Sequence, residues 1–232
     1  MNEASLIGLF VATVSFGGLL YLAALGELLA EKAGVLNLGV EGMMAIGAVT
    51  AFIAGVELEN PWAALVVAMI SGAALASVHG FFTVALGAEQ VVSGLSLTIL
   101  GVGLAAYLGK DYVGLPPGAE LEPVQWSGLS DLPWVGPIFF SQAPLVYLAL
   151  VMGVAISLVL SNTRLGLALR AAGESASSTD LAGHSVLGLR LSAVAAGGAL
   201  AGASGAYLTL SLTPQWAEGL TGGRGWIAVA LV

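Results

Sequence analysis

The chain has 232 residues, 58% of them hydrophobic and 9% charged, whereas a soluble domain carries about 25% charged residues. Too few charges remain to clothe a water-facing surface, so the apolar side chains require hydrocarbon as outer solvent, and the chain reads as an integral membrane protein. A formal charge of −8, from 14 acids against six Lys and Arg, excludes a basic nucleic-acid-binding face. The absence of cysteine excludes disulfides and thiolate metal sites.

A helix needs about 20 apolar residues to cross roughly 30 Å of hydrocarbon. Six stretches meet or approach that length: Ser5–Gly26, Ala33–Gly55, Pro61–Ala88, Gln90–Gly109, Pro144–Ser161 and Leu191–Leu212. The opening MNEASLIGLF has no Lys or Arg before its apolar run, which is longer than a signal-peptide core, so it is expected to be a retained span. A seventh apolar stretch begins near Gly225 and reaches Val232 after eight residues, too short to span. The expected fold is all-α: a polytopic transmembrane helical bundle of about six spans plus the start of a seventh. It forms a single membrane domain over residues 1–232, expected to be truncated at its C-terminal end.

Two polar connections divide the spans. Lys110–Ala143 holds one lysine against Asp111, Glu120, Glu122 and Asp131, while Asn162–Arg190 holds Arg164, Arg170 and Arg190. Basic residues near span ends favour the cytoplasmic side, which places Asn162–Arg190 inside. Counting back through the spans puts Gly26–Lys32 inside as a connection, and Lys110–Ala143, the Glu57/Glu59 turn and the N-terminus outside. On this count Lys32, Arg164, Arg170 and Arg190 lie inside, and Lys110 and Arg224 outside.

Small residues recur at every fourth position in two spans, as Ala64, Ala68, Gly72, Ala76 and Gly80, and as Gly197, Ala201 and Gly205. This spacing makes one helical stripe on which backbones can approach closely, either within a tight bundle or at a subunit interface. The stretch from Ala30 to Ala48 sets Asn37 and Glu41 among Gly34, Gly39, Gly42 and Gly47. A charged side chain at the bilayer centre costs about 2.5–3.5 kcal/mol on insertion scales and usually faces a bundle interior or wet cavity. The glycines weaken the helix, so an interrupted segment is expected near Asn37–Glu41. If the segment stays helical, the two polar residues share a face four positions apart. Glu41 then either faces inward or sits hydrated at the cytoplasmic interface.

Gln90, Ser93 and Ser96 make a second polar stripe at three-residue spacing. They are candidates, with Asn37 and Glu41, for the wall of a translocation path, since uncharged hydrogen-bonding groups suit a hydroxyl-rich solute. The serines could equally bond back to their own helix. Catalytic and metal sites are expected to be absent: there is no GxSxG motif, no ligand cluster, and His79 and His184 lie far apart as packing or loop residues. The Gly109-Lys110 pair continues into Asp111 rather than Ser or Thr, so no phosphate-binding loop is present.

Three runs carry a family resemblance. "GELLAEKAGVLNLGVEGMMAIGA" (Gly26–Ala48), "EQVVSGLSLTILGVGLAAYL" (Glu89–Leu108) and "TRLGLALRAAGESASSTDLAGHSVLGLRLSAVAAGGALAGASGA" (Thr163–Ala206) resemble, in that order, permease subunits of ATP-binding-cassette importers. The resemblance is to the branched-chain amino acid and simple-sugar type, and within it to nucleoside-importer permeases. "GLTGGRGWIAVALV" (Gly219–Val232) is similar to the start of the family's late span. The resemblance implies a bacterial or archaeal plasma-membrane protein that translocates nucleosides or simple sugars inward. It further implies a second permease chain, identical or different, an extracytoplasmic solute-binding protein, and an ATPase subunit that uses the ATP. No cofactor is expected on this chain.

The same likeness implies that residues 162–190 form a coupling loop docking in the ATPase, with Arg164, Gly166, Arg170, Gly173, Glu174 and Gly183 as coupling residues. Read without it, the loop is a helix-like core whose small residues permit close docking, or a hydrated connection whose arginines only set topology. The competing function is a stand-alone secondary transporter or channel with Glu41 as its coupling group.

Overall fold

The computed structural model describes residues 3–232. The first two residues of the N-terminal run expected to enter the first span lie outside the described residues. All the secondary structure in that range is helical: α1 (Glu3–Lys32), α2 (Val40–Leu58), α3 (Pro61–Gly80), α4 (Gln90–Gly109), α5 (Val135–Phe139), α6 (Pro144–Asn162), α7 (Arg164–Glu174), α8 (Ala176–Leu181), α9 (Val186–Tyr207) and α10 (Arg224–Val229). π-helical turns extend α3 to Ala85 and α9 to Leu212. Six of these elements are long and apolar enough to cross a membrane.

Helix α2 is the centre of the bundle, with 14 of its 19 residues buried. It packs against α3, α4, α9 and α10, while α1 packs on α9 and α6, and α6 on α7. The outer faces of α4 and α6 expose Ile99, Leu100, Leu150, Val151 and Val154, as lipid-facing surfaces do. The small-residue stripes are intramolecular seams. A methyl group on Gly72 would overlap Gly198, one on Gly47 would overlap Gly202, and Gly26 and Gly197 meet backbone to backbone. Without side chains at these positions, α9 nests against α1, α2 and α3 at close range.

Two boundaries differ from the sequence reading. Gly26–Lys32 is the last part of α1 rather than a connection, because Glu27, Glu31 and Lys32 are good helix formers and polarity alone does not end a helix. The break falls at residues 33–39, where Gly34 adopts φ +82 and Gly39 caps α2. The Arg224 guanidinium lies 5.7 Å from the Phe16 ring of α1.

Candidate functional site

The break between α1 and α2 runs through the protein interior; the amides of Ala33, Gly34 and Val35 bond back to α1, but the amides of Leu36 and Asn37 and the carbonyls of Ala33, Leu36 and Leu38 need partners from elsewhere. Side chains from four helices clasp those groups. Asn37 N donates to Glu27 Oε1 of α1 at 2.8 Å, and Leu36 N donates to Gln90 Oε1 of α4 at 2.8 Å. Thr98 of α4 donates to Leu38 O at 2.9 Å, and Arg190 Nε of α9 donates to Ala33 O at 3.1 Å. His79 of α3 sits 3.1 Å from Leu36 O through Nε2 and 3.0 Å from Ser93 Oγ through Nδ1. A carbonyl can only accept, so Nε2 carries the proton, and in the neutral ring Nδ1 accepts from the Ser93 hydroxyl.

Asn37 and Glu41 are both buried, at 2% and 5% exposure, so the interfacial hydrated reading of Glu41 is replaced by an interior one. They do not share a helix face, however. Asn37 lies before the helix, its Oδ1 accepting from Gly39 N at 3.0 Å and its Nδ2 donating to Met43 Sδ at 3.3 Å. This is an Asx turn that starts α2.

Glu41, in the first turn of α2, is consumed by a second break. Its Oε1 accepts from Thr221 Oγ1 at 2.6 Å and Gly223 N at 2.9 Å, and its Oε2 accepts from Gly225 N at 2.6 Å. The carboxylate therefore satisfies the orphan amides at the start of α10, where a negative charge is favoured. Both oxygens are occupied, which leaves the carboxylate committed to holding two interrupted segments together.

The Gln90–Ser93–Ser96 stripe divides. Gln90 and Ser93 turn inward to the clasp, while Ser96 is exposed and donates to Val92 O of its own helix at 2.7 Å. Ser93 and Ser96 also touch a groove of about 430 Å³ between the end of α3 and α4, walled mainly by Val78, Phe82, Val92 and Leu100.

Helices α7 and α8 sit at the end of the bundle where α1 stops. The small residues of α7 face its own bundle rather than a partner: Gly166 rests on Val159 and Leu160, and Gly173 rests on the Lys32 carbonyl beside Gly34. Arg190 Nη2 donates to Ala172 O at 2.8 Å, tying α7 to the same place. The opposite face exposes Arg164, Leu165, Leu167, Arg170 and Glu174. Gly183, exposed at φ +83, makes the turn after α8.

Sequence reasoning missed Glu27, Thr98, Arg190 and Thr221 as clasp residues, and treated His79 only as packing. The available signal was a polar side chain inside an apolar run, which in hydrocarbon demands a partner. Among the described residues, no group of three or more His, Cys, Asp or Glu could hold a metal ion.

The comparisons with known proteins bear on this arrangement. The family model described as branched-chain amino acid transport system / permease component matches residues 9–232. A putative glucose ABC transporter permease protein of Haloferax volcanii is 44% identical, over 97% of this chain and 69% of its own length. A guanosine ABC transporter permease protein of Bacillus subtilis is 31% identical over 99% of this chain and 76% of its own. A nucleoside ABC transporter permease protein of Lactococcus lactis is 29% identical over the same shares. No solved structure matches.

Proposed function

The chain belongs to the branched-chain amino acid transport system permease family, and on that premise we propose that it moves a nucleoside or simple sugar, driven through the exposed face of α7. It is a multi-pass membrane permease of an ATP-binding-cassette importer, and such permeases work with an ATPase partner that hydrolyses the ATP. The solute class follows the relatives, whose names specify glucose, guanosine and nucleosides.

One observation carries the coupling reading. Gly173 of α7 rests on the carbonyl of Lys32, the last residue of α1, immediately before the seven-residue break to α2. A partner that grips Arg164, Arg170 and Glu174 on the exposed side of α7 therefore pushes directly on the hinge between α1 and the central helix. Differential grip in two nucleotide states is what would tilt α2. In this reading the ATPase approaches from the cytoplasm, the N-terminus lies outside, a solute-binding protein delivers from outside, and a second permease chain completes the path.

The test uses the reconstituted complex with its ATPase and binding protein, supplied with radiolabelled guanosine, adenosine or glucose. Arg170→Glu is expected to leave the permease inserted and ATP hydrolysis running, with uptake abolished. Normal ATP-driven uptake by this variant would remove the coupling assignment. Uptake that follows a proton gradient without the ATPase would remove the ATP-driven mechanism.

A further inference from the structure

The segment 215–223 has no helical structure. At one end, the Trp216 ring packs on Gly109, the last residue of α4; at the other, Thr221 bonds to Glu41 in the first turn of α2. Beyond it, Arg224 reaches the ring of Phe16. Phe16 precedes Lys32 by 16 residues, about 24 Å along the helix. With Lys32 at the inner boundary, that level lies inside a hydrocarbon slab of roughly 30 Å.

Two independent features of this region are incompatible with lipid contact. First, Gln215, Glu218, Gly219 and Gly222 are exposed in a non-helical stretch, and irregular backbone at membrane depth survives only when buried in protein or facing a water-filled cavity. Second, Arg224 is only half-buried, and its hydrogen bonds run from Nη1 alone, to Leu220 O at 2.6 Å and Thr221 O at 3.0 Å. Among the described residues, Nε and Nη2 remain free donors. A cation with unused donors on a face turned out of the bundle requires water or a polar ligand beside it.

We propose that Gln215–Arg224 lines a water-filled vestibule within the membrane, and that Arg224 binds the transported solute there through its free guanidinium donors. The Phe16 ring beside the guanidinium sets a flat apolar face next to a planar fork of donors. That pairing fits a ring with hydrogen-bonding edges, as a nucleoside or pyranose presents. The proposal rests on the importer reading for its solute class, but the existence of the vestibule does not.

The chain contains no cysteine, so single cysteines can report on the vestibule directly. Glu218→Cys, Arg224→Cys and the lipid-facing control Ile99→Cys, at a position 76% exposed on α4, would be placed in nanodiscs with both faces accessible. A charged hydrophilic thiol reagent is expected to modify the first two at least about tenfold faster than the third. Equally slow modification of all three overturns the vestibule. In ATP-driven uptake of guanosine and glucose, Arg224→Gln and Phe16→Leu are each expected to raise KM by about tenfold, with Arg224→Lys intermediate. An unchanged KM in both Arg224→Gln and Phe16→Leu overturns the solute contact even if the cysteines label quickly. If the unsubstituted complex takes up neither solute, the solute class fails while the labelling rates still decide the vestibule.

Discussion

Thr221 donates a 2.6 Å hydrogen bond to Glu41, joining two residues 180 positions apart at the point where both interrupted segments meet. The first segment, and the second where it meets Glu41, would leave peptide groups stranded in the interior. A single carboxylate at the first turn of α2 takes the amides of Gly223 and Gly225 where the second break ends, and residues from four helices clasp the first. The two carboxylates involved, Glu41 and Glu27, are used differently, and that difference is measurable.

Each oxygen of Glu41 accepts from a backbone amide, Gly223 N on Oε1 and Gly225 N on Oε2, and an amide cannot turn away. Glu41→Gln must aim its own NH₂ at one of them. Loss of a charge-assisted bond together with that donor–donor clash is expected to cost about 1.5–3 kcal/mol. The purified variant should melt several degrees lower and transport poorly. A wild-type melting midpoint would show that the clamp is not stabilising.

Glu27 is equally buried, yet among the described residues only its Oε1 accepts a bond, from Asn37 N, and Oε2 has no partner. Glu27→Gln keeps the acceptor and is expected to be mild, within about 1 kcal/mol, whereas Glu27→Leu strands Asn37 N at a cost of about 1–3 kcal/mol. Thermal melts of the two variants side by side make the comparison. Equal loss in both would mean that the charge, not the acceptor, matters.

Arg190 holds two carbonyls, Ala33 O in the break and Ala172 O in α7. Arg190→Met retains the aliphatic stem but frees both. Helix α7 should then detach more often, loosening the already largely exposed 175–185 connection so that protease cuts it faster. The readout is the rate of limited proteolysis in that connection. An unaltered rate would place the anchoring of α7 elsewhere, on Gly166 and Gly173.

Where α9 packs between α2 and α3, a side chain on Gly202 would overlap the Ala68 carbonyl of α3, and one on Gly47 of α2 would overlap Gly202. Gly202→Val is expected to insert into the membrane but to lose folded stability by at least about 1–3 kcal/mol. The same change at Gly103 of α4, where a side chain meets open space, should be tolerated. Denaturant titration in detergent separates the two, and equal tolerance would contradict the close seam.

Membrane class, span number and the small-residue seams were legible in the residues themselves. Hydrocarbon imposes its demands on every apolar run separately, and spacing of four keeps Gly72, Ala76 and Gly80 on one stripe whatever they meet. The interruption near Asn37 was legible too, since Gly34 and Gly39 mark it locally. The partners of that interruption were not. Glu27, His79, Gln90, Thr98 and Arg190 come from four helices, and only their packing brings them to one loop. The direction of the α7 glycines depended on packing in the same way, because a small-residue face docks equally well on a stranger or on its own chain. Hydropathy and helical period act over a few neighbouring residues, so sequence alone determined what each segment is. Hydrogen bonds such as Thr221 to Glu41 act across the whole chain, so only the tertiary structure decided what each polar group does.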